Sequence, residues 1–351
     1  MSVLSVVGMV AASSLTGAGA PQVRVPSGPA VQHDLRRGPG VTSVRRLSEF
    51  LPALAGTPGD TDVFLLDSGA PGATVLVVGG THGNEIAGFM TAMLLVERVR
   101  VQQGRLVVIP HANNSAVSWV DPARGGLASF TLRTPSGERR FTCGSRLTKP
   151  DHQGAPDPAK YRHPASAESL DGVEARNLDR AYPGRPDGNL TERIAAAVMQ
   201  VLRTEKVDVV FDLHESPPGS RLAWMMVAHP RSVELGAMAV LALEAADVPM
   251  NLERSSDTFR GLSHREWGDA TPALAFLFET PNPGMGSKGR EGDPVNDRQF
   301  PLALRVGANL AAIGAVIEAS NGETPPSKAL RMTDVPSMTQ VVKAGVGAFL
   351  R

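Results

Sequence analysis

Four side chains capable of metal or proton chemistry stand at the ends of apolar runs in this sequence. His82 and Glu85 follow TVLVVGG, His214 follows VDVVFDL, and Glu279 ends ALAFLF. The spacing His82-x-x-Glu85 puts an imidazole and a carboxylate one turn apart on the same side of an opening helix. Such a pair can fill two of the four tetrahedral positions around Zn²⁺, and a third ligand from elsewhere leaves the last position for water. His214, in DLHES, is the natural third, which makes one Zn²⁺ per chain. H-x-x-E alone arises often by chance, so the weight lies in the shared placement. In open α/β sheets ligands gather at the carboxyl ends of strands, and these four residues would meet on that rim. A carboxylate at the end of a buried run is costly unless it is paired or near a cation. Glu279 therefore reads either as the partner of an arginine or as a general base acting on water.

Between these positions lie GSRLT, with Arg146, and ARNLDRAYPG, with Asn177, Asp179 and Arg180. Guanidinium forks suit a substrate carboxylate or the oxyanion of a tetrahedral intermediate, although a single arginine is more often solvated. His264 and Arg265, in GLSHREWGDATPA, either line a pocket or sit in a loop packed on Trp267. His111, His152, His163 and His229 have no ligand-like partners at useful spacing and read as surface or packing residues. Cys143 is the single cysteine, so the chain offers no internal disulfide and no cysteine cluster for a metal.

The elements that must position these residues are legible from apolar runs and their punctuation. Residues 63–66, 74–78, 106–109, 207–213 and 273–278 read as short buried strands. Residues 85–99, 190–203, 233–246 and 302–319 read as helices, the second opened by Asn189 with Glu192 three residues on, as in a capping box. A short helix is expected around 44–54. Short apolar strands alternating with helices predict an α/β fold with a mostly parallel sheet. The expected catalytic domain runs over 61–320, with a long loop insertion at 121–175, preceded by an extended lead-in at 21–60 and followed by a tail at 321–351. Residues 1–20 lack charge and end in Ala18-Gly19-Ala20, which reads as a candidate signal peptide and would send the chain to the periplasm or outside; without one the chain stays cytoplasmic. The missing basic residues near the start and Pro21 after the cut count against that signal.

Thirty-five basic residues balance thirty-five acidic ones, so no general attraction to nucleic acid or anionic membrane is expected. The apolar stretch 302–319 is interrupted by Arg305, Asn309 and Glu318 and reads as a buried helix rather than a membrane span.

GTHGNEIAG, the N-x-D-R-x-Y-P-G segment, DLHES and Glu279 together resemble the succinylglutamate desuccinylase/aspartoacylase branch of the zinc carboxypeptidase superfamily. The resemblance covers residues 62 to 285. It implies a mixed, eight-stranded sheet sandwiched by helices, with His82, Glu85 and His214 on zinc and Glu279 as the catalytic carboxylate. It also implies Arg180 as the anchor for a substrate carboxylate and Arg146 on the oxyanion side. Asp179 departs from the family, which has Asn directly before the anchoring Arg. Asp179 would then hold Arg180 or meet a substrate ammonium, with Asn177 supplying the amide. Only 72 residues follow Glu279, so the β-rich C-terminal domain of aspartoacylases is expected to be absent or reduced. The implied reaction is hydrolysis of an N-acyl amino acid or similar small amide. The alternatives are a zinc carboxypeptidase acting on peptides or cell-wall stems, and a non-catalytic zinc-binding or carbohydrate-binding module.

Overall fold

The computed structural model describes residues 33–122, 127–286 and 292–351. The candidate signal at 1–20 lies outside these residues, and the lead-in is described only from His33. Eight strands form the main sheet: β1 (Ser43–Arg46), β2 (Asp62–Asp67), β3 (Thr74–Val78), β4 (Arg105–Ile109), β5 (Val209–Ser216), β6 (Met225–Ala228), β7 (Asn251–Arg254) and β8 (Leu274–Pro281). Their spatial order is β1-β2-β4-β3-β5-β8-β6-β7. The centre, β4 through β3 and β5 to β8, is parallel. β1, β2 and β6 join antiparallel to their inner neighbours, and β7 runs parallel to β6. The mixed, mostly parallel sheet expected from the sequence is present.

The longer helices are α1 (Ile86–Arg98), α2 (Leu190–Thr204), α3 (Val233–Glu244), α4 (Ser263–Ala270), α5 (Leu302–Glu323) and α6 (Met338–Ala344). Strand side chains alternate between two cores. Val75, Val77, Phe211 and Phe276 face α1, α3 and α5, whereas Leu76, Val78, Val210 and Ala275 face α2 and Trp267 of α4. A sheet covered on both faces has no solvent side, so its strands read as unbroken apolar runs. Asn189 caps α2 as expected: its side chain accepts from the Glu192 N–H at 2.9 Å, and Glu192 accepts from the Asn189 N–H at 2.9 Å.

Several segments differ from or go beyond expectation. Residues 44–54 hold no α-helix; β1 pairs with β2, and two short 3₁₀ helices follow at Leu47–Glu49 and Pro52–Leu54. The insertion holds a hairpin, Ser129–Thr134 with Gly137–Thr142, which buries Phe130 and Phe141. β6 and β7 are too short, at four residues each, to stand out in the sequence. The tail docks: Val341, Val346 and Leu350 join the core beneath α5. α5 has the length and composition of a membrane-crossing helix, yet its Arg305 and Asn309 are fully buried in the protein.

Close approach of α1 to the sheet requires glycine. A Cβ on Gly88 would lie 2.3 Å from the Leu213 carbonyl oxygen, and Gly80 turns out of β3 with φ +69°. A second tie crosses the same place. Glu215, next to His214 on β5, is fully buried against the Arg305 guanidinium of α5. It also accepts from the Ala87 N–H and from Asn282 Nδ2, both at 3.0 Å. Removing one partner of a buried pair strands the other charge. Arg305→Met should therefore lower unfolding free energy by about 3–5 kcal/mol in denaturant titration; a loss below about 1 kcal/mol would show that the pair is not structural.

Candidate active site

β5 and β8 lie parallel with His214 directly opposite Glu279, so both side chains emerge on one face. β3 lies on the other side of β5, pairing Val78 with Asp212. The chain leaving β3 turns at Gly80 and delivers His82 and Glu85 to the same rim, just before α1. His82 Nδ1 is 2.7 Å from Glu85 Oε1, and His214 Nδ1 is 3.0 Å from Glu85 Oε2. One donor atom from each of the three lies within 4.8 Å of the others, and all three side chains are buried.

The far ring nitrogens are also held. Asn177 Nδ2 donates to Glu174 at 2.6 Å, which turns its Oδ1 to His82 Nε2 at 2.8 Å. His82 Nε2 is thus the donor, and Nδ1 presents its lone pair. His214 Nε2 stands 2.9 Å from Asp212 Oδ2, close enough for an ion pair but not aligned as a hydrogen bond. Two imidazole nitrogens and a carboxylate facing one point, with their outer atoms secured, fit a borderline-soft divalent cation such as zinc.

Burial, then the Arg146 charge, keeps His82 below its ordinary value. Burial opposes the charge on Glu85, but His82 and His214 outweigh it and hold the carboxyl below its usual range. Burial likewise opposes a charge on His214, while Asp212 and Glu85 push it well above the ordinary value. Glu279 lines the cleft, its Oε2 has no hydrogen-bond partner among the described residues, and desolvation pushes it up to about 8.

These residues form the floor of a cleft of about 450 Å³. Arg146, Arg180, Asp179 and His264 are on its walls, together with residues from the 163–170 and 258–262 segments. Arg146 Nη1 lies 3.2 Å from Glu85 Oε1. Arg180 donates to the Asp179 carbonyl at 2.6 Å, and its Nη1 is 3.5 Å from Asp179 Oδ2. Asn177, expected among the substrate contacts, is instead fully buried behind His82, because the imidazole needs an acceptor there. His264 lies on α4 rather than in a loop, with Nε2 3.0 Å from Ser255 Oγ, while Trp267 of the same helix packs on Tyr182 in the core. Arg265 is bound to Asp269 and Asp257 and does not reach the cleft. His163, expected only to pack, lines the cleft while bonding the Tyr182 carbonyl at 2.8 Å. Asp212 was missed altogether. Its signal was the alternation D-L-H, which puts residues two apart on one face of a strand.

Residues 163–275 match the succinylglutamate desuccinylase/aspartoacylase catalytic domain. That match covers about a third of the chain, and over it the chain is similar to this family. The chain is 31% identical over 145 residues to N-alpha-acetyl-L-2,4-diaminobutyric acid deacetylase of Halomonas elongata, a match covering 41% of this chain. The same match spans 28% of that relative's length. Among solved structures, a metallo-carboxypeptidase from Burkholderia cenocepacia is similar over 82% of this chain and 66% of its own, at 12% identity and TM-score 0.49. A succinylglutamate desuccinylase/aspartoacylase from Rhodobacter sphaeroides covers 83% of this chain and 68% of its own, at 17% identity and TM-score 0.46.

The helix that carries His264 is fastened by one carboxylate. Asp269 meets His229 at 3.0 Å, Arg260 at 2.7 Å and Arg265 at 3.1 Å. Burial would raise its pKa, but His229, Arg260 and Arg265 outweigh it and hold Asp269 at about 2. A folded value below the ordinary 3.8 means this stabilisation is complete above pH 4 and disappears as pH falls through 2. Acid titration of Asp269→Asn should show a shallower stability loss across that window than the parent; identical slopes would contradict the assignment.

Proposed function

We propose that this chain is a zinc-dependent amide hydrolase that removes the acyl group from an N-acyl amino acid or a similar small amide. The observation that carries this reading is the rim itself: His82, Glu85 and His214 converge beside Glu279, which lines the cleft and whose Oε2 has no hydrogen-bond partner among the described residues. A zinc ion held by those three would supply a Lewis acid for the amide carbonyl and lower the pKa of an attacking water. The named activity of the Halomonas elongata relative, cleavage of an acetyl amide on an amino acid, is of the same kind.

The remaining roles belong to the chain. Glu279 takes a proton from the water as its oxygen bonds to the carbonyl carbon. The same carboxyl then gives that proton to the amide nitrogen as the C–N bond breaks, releasing the acid and the free amine. Arg146, at the mouth of the floor, faces the oxygen that gains charge. Arg180, on the wall, binds the carboxylate of the amino-acid half through its fork. The buried floor excludes water from these charges and so strengthens them.

The test is an assay of zinc-loaded protein on acetyl- and succinyl-amino acids beside short peptides. Release of free amino acid from the acyl panel supports the proposal, while cleavage of peptides alone overturns it in favour of a carboxypeptidase. Glu279→Gln should keep its metal and lose roughly 10²–10⁴ in kcat; undiminished turnover would remove Glu279 from the mechanism. Arg146→Ala should cost on the order of 10²–10³ in kcat with little change in KM, and the opposite split would make it a binding residue only.

A further inference from the structure

The two histidines are backed differently. A neutral amide, Asn177, stands behind His82. Behind His214 stand two carboxylates: Asp179, Asp212 and His214 each place one atom within 4.8 Å of the others, and all are buried. Asp212 is aimed from the other side. Thr81 Oγ1 donates to its Oδ1 at 2.8 Å, leaving Oδ2 toward His214 Nε2 with no hydrogen bond among the described residues. Asp179 is fixed as well, because its Oδ1 accepts the Ser263 N–H at 2.8 Å. Its Oδ2 faces Arg180 Nη1. Asp179 therefore touches the segment bearing His264, the cleft arginine and the surroundings of His214 at once.

We infer that Asp212 and Asp179 are paired positioning residues behind His214, and that Asp179 serves the metal ligand and Arg180 rather than a substrate ammonium. Asp212 holds the imidazole with Nδ1 turned to the metal position. Asp179 adds a second negative charge at the same ring and ties it to the carboxylate anchor. Neither reaches the reacting atoms: Asp212 is absent from the cleft wall, and both oxygens of Asp179 face protein donors. Outer partners of metal-bound histidines orient the ring and raise its basicity, and their loss typically weakens the metal about 10–100-fold. The inference rests on the metal site proposed above.

Chelator competition for zinc tests it without reference to turnover. Asp212→Asn keeps the shape and the Thr81 bond but removes the charge, and should weaken zinc about 10–100-fold. Asp179→Asn retains an acceptor for the Ser263 N–H, so it should fold; it should weaken zinc by a smaller factor and raise KM for carboxylate-bearing substrates. Thr81→Val changes no charge and should weaken zinc only through the aim of Asp212, which guards against a misfolded Asp212 variant. Parental zinc affinity in both aspartate variants would overturn the inference. So would an Asp179→Asn defect confined to substrates carrying a free amino group, since that is the signature of ammonium binding. His214→Ala separates the two levels. If it loses zinc while the aspartate variants keep it, only this inference fails; if it too binds zinc like the parent, the metal site itself fails.

Discussion

A carboxylate cannot stay charged at the rim of a dry sheet unless cations surround it, and the centre of this molecule is arranged around that constraint. Glu85, Glu215, Asp212 and Asp179 are all buried within a few residues of His214 or directly against its neighbours. Glu215 is answered by Arg305 from the core helix α5. Glu85 is answered by two imidazoles and, at the edge, by Arg146. Taking ions out of water costs several kcal/mol each, so such a cluster persists only with close compensation. A divalent cation among His82, Glu85 and His214 is the compensation that this geometry is shaped to receive.

The sheet makes that cluster obligatory. β5 carries Asp212, His214 and Glu215 in consecutive or alternating positions, which sends Asp212 and His214 to one face and Glu215 to the other. The first face builds the cleft, and the second locks to α5 and the start of α1. One strand thus fastens the core and presents the site. Gly88 completes the arrangement by letting α1 lie directly on the Leu213 backbone, so that Glu85 and His214 can meet.

Much of this was legible in the sequence. Strands buried on both faces announce themselves as apolar runs, and their ends are where His82, Glu85, His214 and Glu279 stand. Asn189 with Glu192 marked the start of α2 to the residue. The features that the sequence does not show depend on partners far away in the chain. Asn177 looked like a cleft residue because of its motif, yet its direction is set by Glu174 and His82. Asp212 looked like part of an apolar strand, and only the neighbouring Thr81 reveals its aim. β6 and β7 carry no local signal strong enough to separate them from loops; the sheet edge they extend gives them their shape.

The central claim is that three named side chains share one metal ion. Anomalous diffraction at the zinc edge, from crystals of the zinc-loaded protein, tests this most directly. A single strong peak should lie about 2.0–2.2 Å from His82 Nδ1, His214 Nδ1 and a Glu85 carboxylate oxygen. A peak held by other residues, or no peak at this rim in zinc-saturated crystals, would contradict the account.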